Sequence, residues 1–473
     1  MKPSKDSEAE AILRNDAPKL KALNSGMVCM HSLDKLIFLA AHEAQKPGFH
    51  GLYRFLMANQ WKSRETLLRE QALLLRRMVH FCYNRVPLYR RRFRESGLMP
   101  SDIRNQSDLE KISPLTKKDI LSNKADFLPT GRTGKYHMSH TGGTTGSPLS
   151  FRVSHDDRFF SGALLYRGWS GGGYHLGDRM LVMGGPSLLR NPQMRVRLKI
   201  NELTRKLRYI SYFKLDKADL QKYTMMLQSW KPSFLRGAPS GLNELAEHIE
   251  NHSADIPRLK AIFTTTEKLY PHVRKNLERV FGARVFDGYG ANDGGVGAYE
   301  YDCGNLHIDT ERSILEVVDE ENNQITQGRG RVLATSLRNF AMPFLRYEVE
   351  DEVVATEQEC HCGRGLPILE EIIGRTVSVF VKPDGGLIHG WFFNIIFLDI
   401  GETVKQYRVV QETEERIVIY LIPGPGFGDH TIQQISHFVE TNCSDWELDF
   451  RIVESIPKSR SGKVIFIESL VKR

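Results

Sequence analysis

Long apolar runs are missing from this chain, and that absence sets the first boundary. No stretch approaches the roughly 18 residues that a membrane-spanning helix requires. The longest, Trp391 to Leu398, is broken by Asn394 and ends at Asp399. Cysteine is scarce. Six in 473 residues cannot make the dense disulfide scaffold of a small secreted domain, so a reducing, cytoplasmic setting is expected. The first residues include Glu8, Glu10 and Asp16 and lack the cationic, apolar, small-residue order of a signal peptide. A large charge excess is missing too. The formal net charge of +8 permits an anionic partner and does not call for nucleic acid. What is present, 41% hydrophobic and 26% charged residues, is ordinary for a globular protein. The length implies a large domain plus a smaller one.

The most unusual stretch is Ser139-His140-Thr141-Gly142-Gly143-Thr144-Thr145-Gly146-Ser147-Pro148, followed by the strand-like Leu149–Val153. Its glycines allow sharp turns and close backbone approach to a ligand. Successive N–H groups in such a turn form an anion-binding nest, and the hydroxyls add donors without charge. It reads as a loop closing over a nucleoside triphosphate. Standing alone it would be an ordinary surface turn, and it is not a P-loop, because no lysine follows its last glycine.

Along the rest of the chain, residues 1–60 offer no usable motif. Ser63 and Glu65 open a helix carrying Leu68, Ala72, Leu75, Val79 and Cys82 at helical spacing, stopped by Asn84-Arg85-Val86-Pro87. The arginines at 90–94 read as a solvated helix face, and Thr116 as a helix cap. A helix is expected near 155–170 and a strand at 179–185. Residues 190–208 interleave basic and apolar side chains. They read either as a core-facing element with one solvated side or as a docking surface for an anionic partner or a membrane.

Residues 220–300 alternate helix and strand, the pattern of an α/β sheet. Two strands there run into polar clusters, Thr264-Thr265-Thr266-Glu267 and Gly288-Tyr289-Gly290-Ala291-Asn292-Asp293, where open α/β sheets bind ligands. From 313 to 356 the chain turns β-rich, and a small antiparallel β-subdomain is expected. The last hundred residues show a strand–strand–helix–strand order, a small α+β domain. The fold class is therefore α/β, with domains at 1–374 and 375–473.

Five segments then carry a resemblance to a known family: Thr141–Pro148; Gly288–Asp293; Arg346-Tyr347-Glu348-Val349-Glu350-Asp351; Ile373-Gly374-Arg375; and Pro457-Lys458-Ser459-Arg460-Ser461-Gly462-Lys463. In this order the chain, from about residue 64, resembles the adenylate-forming (acyl-CoA synthetase and luciferase-like) superfamily, in its phenylacetate–CoA ligase and capsule-biosynthesis branch. The resemblance implies a large adenylation domain with a β-subdomain, and a small C-terminal lid. It implies activation of a small-molecule carboxylic acid by ATP through an acyl-adenylate. The acceptor it implies is coenzyme A, or else a carrier protein or a sugar amine or hydroxyl of a glycan pathway. A non-catalytic nucleotide-binding descendant is the remaining alternative. A homodimer is expected by analogy.

The implied roles fall on matching positions. Thr141, Gly142, Gly143, Thr144, Thr145 and Gly146 hold phosphates, and Asp293 binds Mg²⁺. Thr265, Tyr289 and Gly290 flank the adenine, Asp351 holds the ribose, and Arg375 sits at the hinge. Lys463 bridges carboxylate and α-phosphate. Catalysis is thus expected of Lys463, Thr145 and Asp293. The sequence departs from the family at Asp293, where glutamate is usual, and at Thr376-Val377-Ser378, where aspartates follow the hinge arginine. The acyl pocket is expected near Gly184-Gly185, Arg236-Gly237-Ala238 and Thr265.

Cys303-Gly304-Asn305-Leu306-His307 and Cys360-His361-Cys362 can supply a Cys₃His zinc site from Cys303, His307, Cys360 and Cys362. The branch is similar in carrying such a cluster. Reduced, unligated thiols, with His307 in the core, are the alternative.

Overall fold

The computed structural model describes residues 33–140, 149–184, 192–211, 217–374, 379–400, 403–442, 446–456 and 467–471. A short hairpin pairs β1 (Tyr136–His140) with β2 (Ser150–Ser154) in antiparallel register, His140 opposite Ser150. The main sheet has eleven strands. Its parallel half holds β3 (Met180–Gly184), β4 (Leu207–Ser211), β5 (Phe234–Gly237), β6 (Ala261–Thr264) and β7 (Arg284–Ala291). Its antiparallel half holds β8 (Val296–Glu300), β9 (Leu306–Ile308), β10 (Ser313–Val318), β11 (Gly328–Ser336), β12 (Tyr347–Ala355) and β13 (Ile368–Gly374).

The β-rich segment from 313 to 356 is therefore not a free-standing sheet. It joins the parallel half through β9 and β8. The joint is the tight turn between β7 and β8, where Gly294 and Gly295 have φ of 95° and 80°. A Cβ on Gly294 would collide with that of Ala334 in β11, so only glycine lets the strand reverse there.

The parallel strands are nearly continuous apolar runs, such as Ala261-Ile262-Phe263, because helices cover both faces. The helix His155–Ser170 packs on one face with Trp169, Phe263 and Phe286. The helices Pro239–Asn251 and Pro271–Phe281 pack on the other with Ile262 and Val285. Residues 192–205 form a helix and 207–211 the edge strand β4. Residues 33–59, where no motif was legible, form two helices, Leu33–Gln45 and Phe49–Asn59.

The expected helix after Ser63 runs from Arg64 to Arg85, with the Ser63 hydroxyl accepting the Thr66 N–H. Its buried face is rotated from the expectation. Leu67, Gln71, Leu75, Met78, Val79 and Cys82 are buried, whereas Leu68 is exposed. Gln71 displaces Ala72 because its Nε2 donates to the Thr310 and Ser313 carbonyls, 2.9 and 3.1 Å away. Thr116 caps the helix Lys117–Ser122 as expected, in a reciprocal pair with Asp119.

In the C-terminal part, β14 (Val379–Val381) and β15 (Leu387–His389) form a hairpin. It leads into the apolar helix Trp391–Ile400. A four-stranded sheet follows, built from β16 (Val404–Gln411), β17 (Arg416–Pro423), β18 (Glu447–Ile452) and β19 (Ile467–Ser469), in the order β18-β17-β16-β19. Helix Asp429–Asn442 connects β17 to β18, which run parallel. Their core joins Phe392, Phe393, Phe397, Tyr407 and Trp446. The longest apolar run of the sequence is thus a buried helix. Among the described residues no helix is long and apolar enough to cross a membrane.

Candidate active site

A cavity of about 200 Å³ lies between the helix His155–Ser170 and the sheet. Ser154 starts that helix, its hydroxyl accepting the Asp157 N–H. Asp157 in turn accepts from the Arg312 guanidinium at 3.0 and 2.9 Å, deep below the surface. One glycine sets how closely helix and sheet approach. A Cβ on Gly168 would run into the Tyr299 ring. The floor is aromatic: Trp169, Phe263, Phe286 and Tyr299. At its C-terminal rim the sheet supplies Thr264, Thr265, Gly288, Tyr289, Gly290 and Asn292, the crevice where open α/β sheets take ligands.

The two polar clusters singled out in the sequence form this rim. The Thr265 N–H donates to the Gly237 carbonyl at 3.2 Å, tying β6 to the end of β5. Glu267 accepts from the Ser240 N–H and hydroxyl, both at 3.0 Å, at the start of helix Pro239–Asn251. Its carboxylate suits that positive helix end. Between them Thr266 is held at φ 74°, a strained position for a β-branched residue. Such strain persists only where neighbours enforce it. Beside them Asp287 accepts from the Thr264 hydroxyl at 2.7 Å. Burial pushes its carboxyl above the usual range.

Tyr289 and Asp351, 62 positions apart, meet: the phenol donates to the Asp351 carboxylate at 2.8 Å, both groups buried. Asp351 lies on β12, placed by two backbone positions of positive φ, Arg346 at 48° and Glu350 at 65°. Arg346 is almost wholly buried. It donates to Glu316 at 2.9 Å and to the Ile112 and Asn322 carbonyls. So the first residue of the Arg346–Asp351 motif anchors and the last faces the site. Asp293 is buried in the β7–β8 turn, and its neighbour Asn292 rather than Asp293 lines the cavity. Thr265, Tyr289 and Gly290 are gathered at the cavity, and Asp351 joins them through Tyr289. The expected phosphate loop Thr141–Gly146, the hinge Arg375 and Lys463 lie outside the described residues. The strands on either side of that loop are paired, and His140 Nδ1 lies 2.9 Å from the Ser150 hydroxyl.

A separate cluster sits across β9 and the β12–β13 loop. The ligand atoms of Cys303, His307, Cys360 and Cys362 all lie within 4.8 Å of one another. His307 Nε2 is 3.4 Å from Cys303 Sγ and 3.6 Å from Cys362 Sγ. Tetrahedral zinc with ordinary Zn–S and Zn–N bonds puts S and N about 3.6 Å apart, so the donors fit that ion. His361 is not among the four. Burial pushes the His307 imidazole down to about 4, leaving it neutral with a lone pair to give. Gly304 and Gly363, each just after a cysteine, have φ of 86° and 84°. The loop docks on the N-terminal helices: the Gly365 N–H donates to the Gln60 carbonyl, and Arg364 stacks on Trp61 and Tyr301.

Sequence reading missed the buried ion group beneath the site. Arg167, fully buried, pairs with Asp309 and Glu311 at 2.6 Å each. Its signal was there, in the charged run Asp309-Thr310-Glu311-Arg312 between two apolar strands and in Arg167 beside the apolar stretch Ala163-Leu164-Leu165-Tyr166.

Comparison with known proteins gives this geometry a context. Residues 380–469 match the CapK C-terminal domain. The chain is 26% identical to a phenylacetate–coenzyme A ligase of Thermus thermophilus, over 74% of this chain and 79% of that protein. It is 22% identical to protein CapK of Staphylococcus aureus, over 77% of this chain and 81% of the relative. Among solved structures, 2-hydroxyisobutyryl-CoA ligase with 2-HIB-AMP and CoA, in its thioesterification state, shares the fold. Its TM-score is 0.60 at 22% identity, with 85% of this chain and 89% of that chain covered.

Proposed function

We propose that this chain, a relative of the phenylacetate–CoA ligases and of CapK within the adenylate-forming superfamily, is an AMP-forming acid–thiol ligase. A carboxylate oxygen of the acid attacks the α-phosphorus of ATP. The bond from that phosphorus to the bridging oxygen breaks, and pyrophosphate leaves. The thiol of coenzyme A then adds to the acyl carbonyl, loses its proton, and expels AMP. The observation that carries the reading is the rim. It sets an aromatic cavity beside Tyr289, whose phenol reaches the buried carboxylate of Asp351. An acyl group fits the cavity, and a ribose has Asp351 to accept from its hydroxyls.

The remaining assignments complete the proposal. Thr141–Gly146 supply N–H groups and hydroxyls to the phosphates, where negative charge grows and fixed donors act most strongly. Lys463 brings a mobile point charge to carboxylate and α-phosphate. Residues 375–473 act as a lid on residues 1–374, with Arg375 at the hinge. Mg²⁺ takes one or two carboxylates plus phosphate oxygens, and Asp293 is the carboxylate assigned to it, although it is buried in the β7–β8 turn and Asn292 lines the cavity in its place. When bound it would neutralise phosphate charge. Zinc at the Cys₃His cluster would be structural, fastening the β12–β13 loop to Cys303 and His307 at β9. A cytoplasmic location and a homodimer belong to the same reading.

The CapK match over residues 380–469 favours one second reading, in which a carrier protein or a sugar amine or hydroxyl takes the acyl group. One experiment separates the two. The full chain is incubated with ATP, Mg²⁺ and a panel of acids, with and without coenzyme A, and products are read by mass spectrometry. Acid-dependent AMP with an acyl-CoA supports the ligase. Acyl-adenylate without any thioester moves the acceptor to the second reading. ADP as the nucleotide product overturns both.

A further inference from the structure

Arg236 stands out among the cavity's charged side chains. The acids that line the cavity are all engaged: Asp309 with Arg167, Glu300 with Arg274 at 2.6 Å, and Asp287 with the Thr264 hydroxyl and the Gly288 N–H. Arg312 is held by Asp157. Arg236 has no hydrogen-bond or ion-pair partner among the described residues. Among the described residues its guanidinium meets the face of Trp169, with the guanidinium carbon 5.5 Å from the ring centroid. Desolvation by the surrounding protein holds its pKa below the ordinary arginine value, as for a cation removed from water without a counter-charge.

Its position in the fold gives the vacancy a direction. On β5, Arg236 pairs with Phe263 of β6, which pairs with Phe286 of β7. Thr265 and Gly288, on the rim where the nucleotide is placed, lie two residues further along their strands. At the rise of a strand that is roughly 7 Å. Trp169, the ring that Arg236 covers, is near the end of helix His155–Ser170, which starts at the rim side with Ser154. The guanidinium therefore faces the deep end of the cavity. The carboxylate that meets ATP must stay at the rim. Whatever Arg236 meets is the other end of the acid. An apolar cavity of about 150 Å³ accepts benzene, so about 200 Å³ lined by Trp169, Phe263, Phe286 and Tyr299 holds one ring and a small substituent.

We propose that Arg236 determines specificity by pairing with a second carboxylate on the far end of the substrate, so that the preferred acid is a single-ring aromatic dicarboxylate. The inference rests on the proposed function, because it assumes that this cavity takes the acyl group. An arginine fork matches a carboxylate with two parallel hydrogen bonds, and a site built around a half-buried, unpaired charge discriminates against a ligand that leaves it unpaired.

The test compares 4-carboxyphenylacetate with phenylacetate, for the full-length protein and for Arg236→Met, which keeps the stem and removes the charge. Binding is measured by calorimetry in the presence of a non-hydrolysable ATP analogue, and activation by pyrophosphate exchange. Wild type is expected to bind the dicarboxylate at least about tenfold more tightly. Arg236→Met should lose that preference and hold phenylacetate at least as well. Arg236→Lys should restore part of it, which separates a charge effect from loss of the Trp169 contact. Equal binding of the two acids by wild type, or a preference that survives in Arg236→Met, would overturn the assignment. A binding preference that follows Arg236 without any exchange would support the assignment of Arg236 and count against the ligase reaction alone.

Discussion

The Tyr289–Asp351 hydrogen bond offers a quantitative handle on the nucleotide side of the site. Tyr289→Phe keeps the ring and strips one donor from a carboxylate that is only 9% exposed. A hydrogen bond to a charged group contributes about 1.5–3 kcal/mol. Asp351 keeps further interactions of its own, so the net loss should be smaller, about 1–2 kcal/mol, or roughly 5- to 30-fold in kcat/KM for ATP. Asp351→Asn keeps the volume and removes the charged acceptor that the proposed function offers to the ribose, and should cost about 2–4 kcal/mol. Each substitution weakens the same bond. The double variant should therefore fall short of the sum by about 1 kcal/mol. The assay is the ATP dependence of pyrophosphate exchange at saturating acid. Additivity within about 0.3 kcal/mol would show that the pair is not coupled in the working enzyme. A rise in KM for the acid instead of ATP would refute the placement of the ribose.

Three other outcomes follow from the same structure. Removing metal with a strong chelator should lower the melting temperature and expose the β12–β13 loop to protease, and zinc should restore both; unchanged melting with no bound zinc would favour free thiols. Gly168→Ala should force helix and sheet apart at Tyr299 and destabilise by about 1–3 kcal/mol, read as the denaturation midpoint; an unchanged midpoint would contradict the packing. His42 gives a pH signature. It is stacked between Phe38 and Phe49 and accepts from the Tyr166 hydroxyl, and burial pushes its imidazole down to about 4. Its unfolded form takes a proton below about 6.5, so stability should be full above that value and fall as pH drops towards 4, by up to about 3 kcal/mol. Denaturant titrations of wild type and His42→Leu between pH 7 and 4 should differ in slope, and equal slopes would sink the argument.

Much of the site could be read from sequence where chemistry and spacing coincide. The two polar clusters after β6 and β7 were visible because a strand pattern ran into glycines and hydroxyls, and the sheet does put them on one rim. Cys303, His307, Cys360 and Cys362 were visible because cysteine is scarce and paired. Less visible was anything set by distant partners. Gln71 outcompeted Ala72 for the buried face because two carbonyls 239 and 242 positions away needed a donor. Arg346 sits at positive φ with its side chain held by Glu316 and the Ile112 and Asn322 carbonyls, which a motif match does not reveal. Nor could periodicity say that the β-rich segment continues the main sheet, because that depends on the β7–β8 reversal at Gly294. Arg236 was legible as part of the expected acyl pocket, and it does line the cavity, but nothing local marks it as the cavity's unpaired charge. Its meaning comes only from the partners it lacks.

Pyrophosphate exchange by the wild-type chain and by Lys463→Ala, across a panel of aryl and aliphatic acids, tests the central claim most directly. Exchange that depends on one class of acid and falls by orders of magnitude in Lys463→Ala is the predicted result. Folded, zinc-loaded protein that binds ATP and shows no exchange with any acid would contradict it.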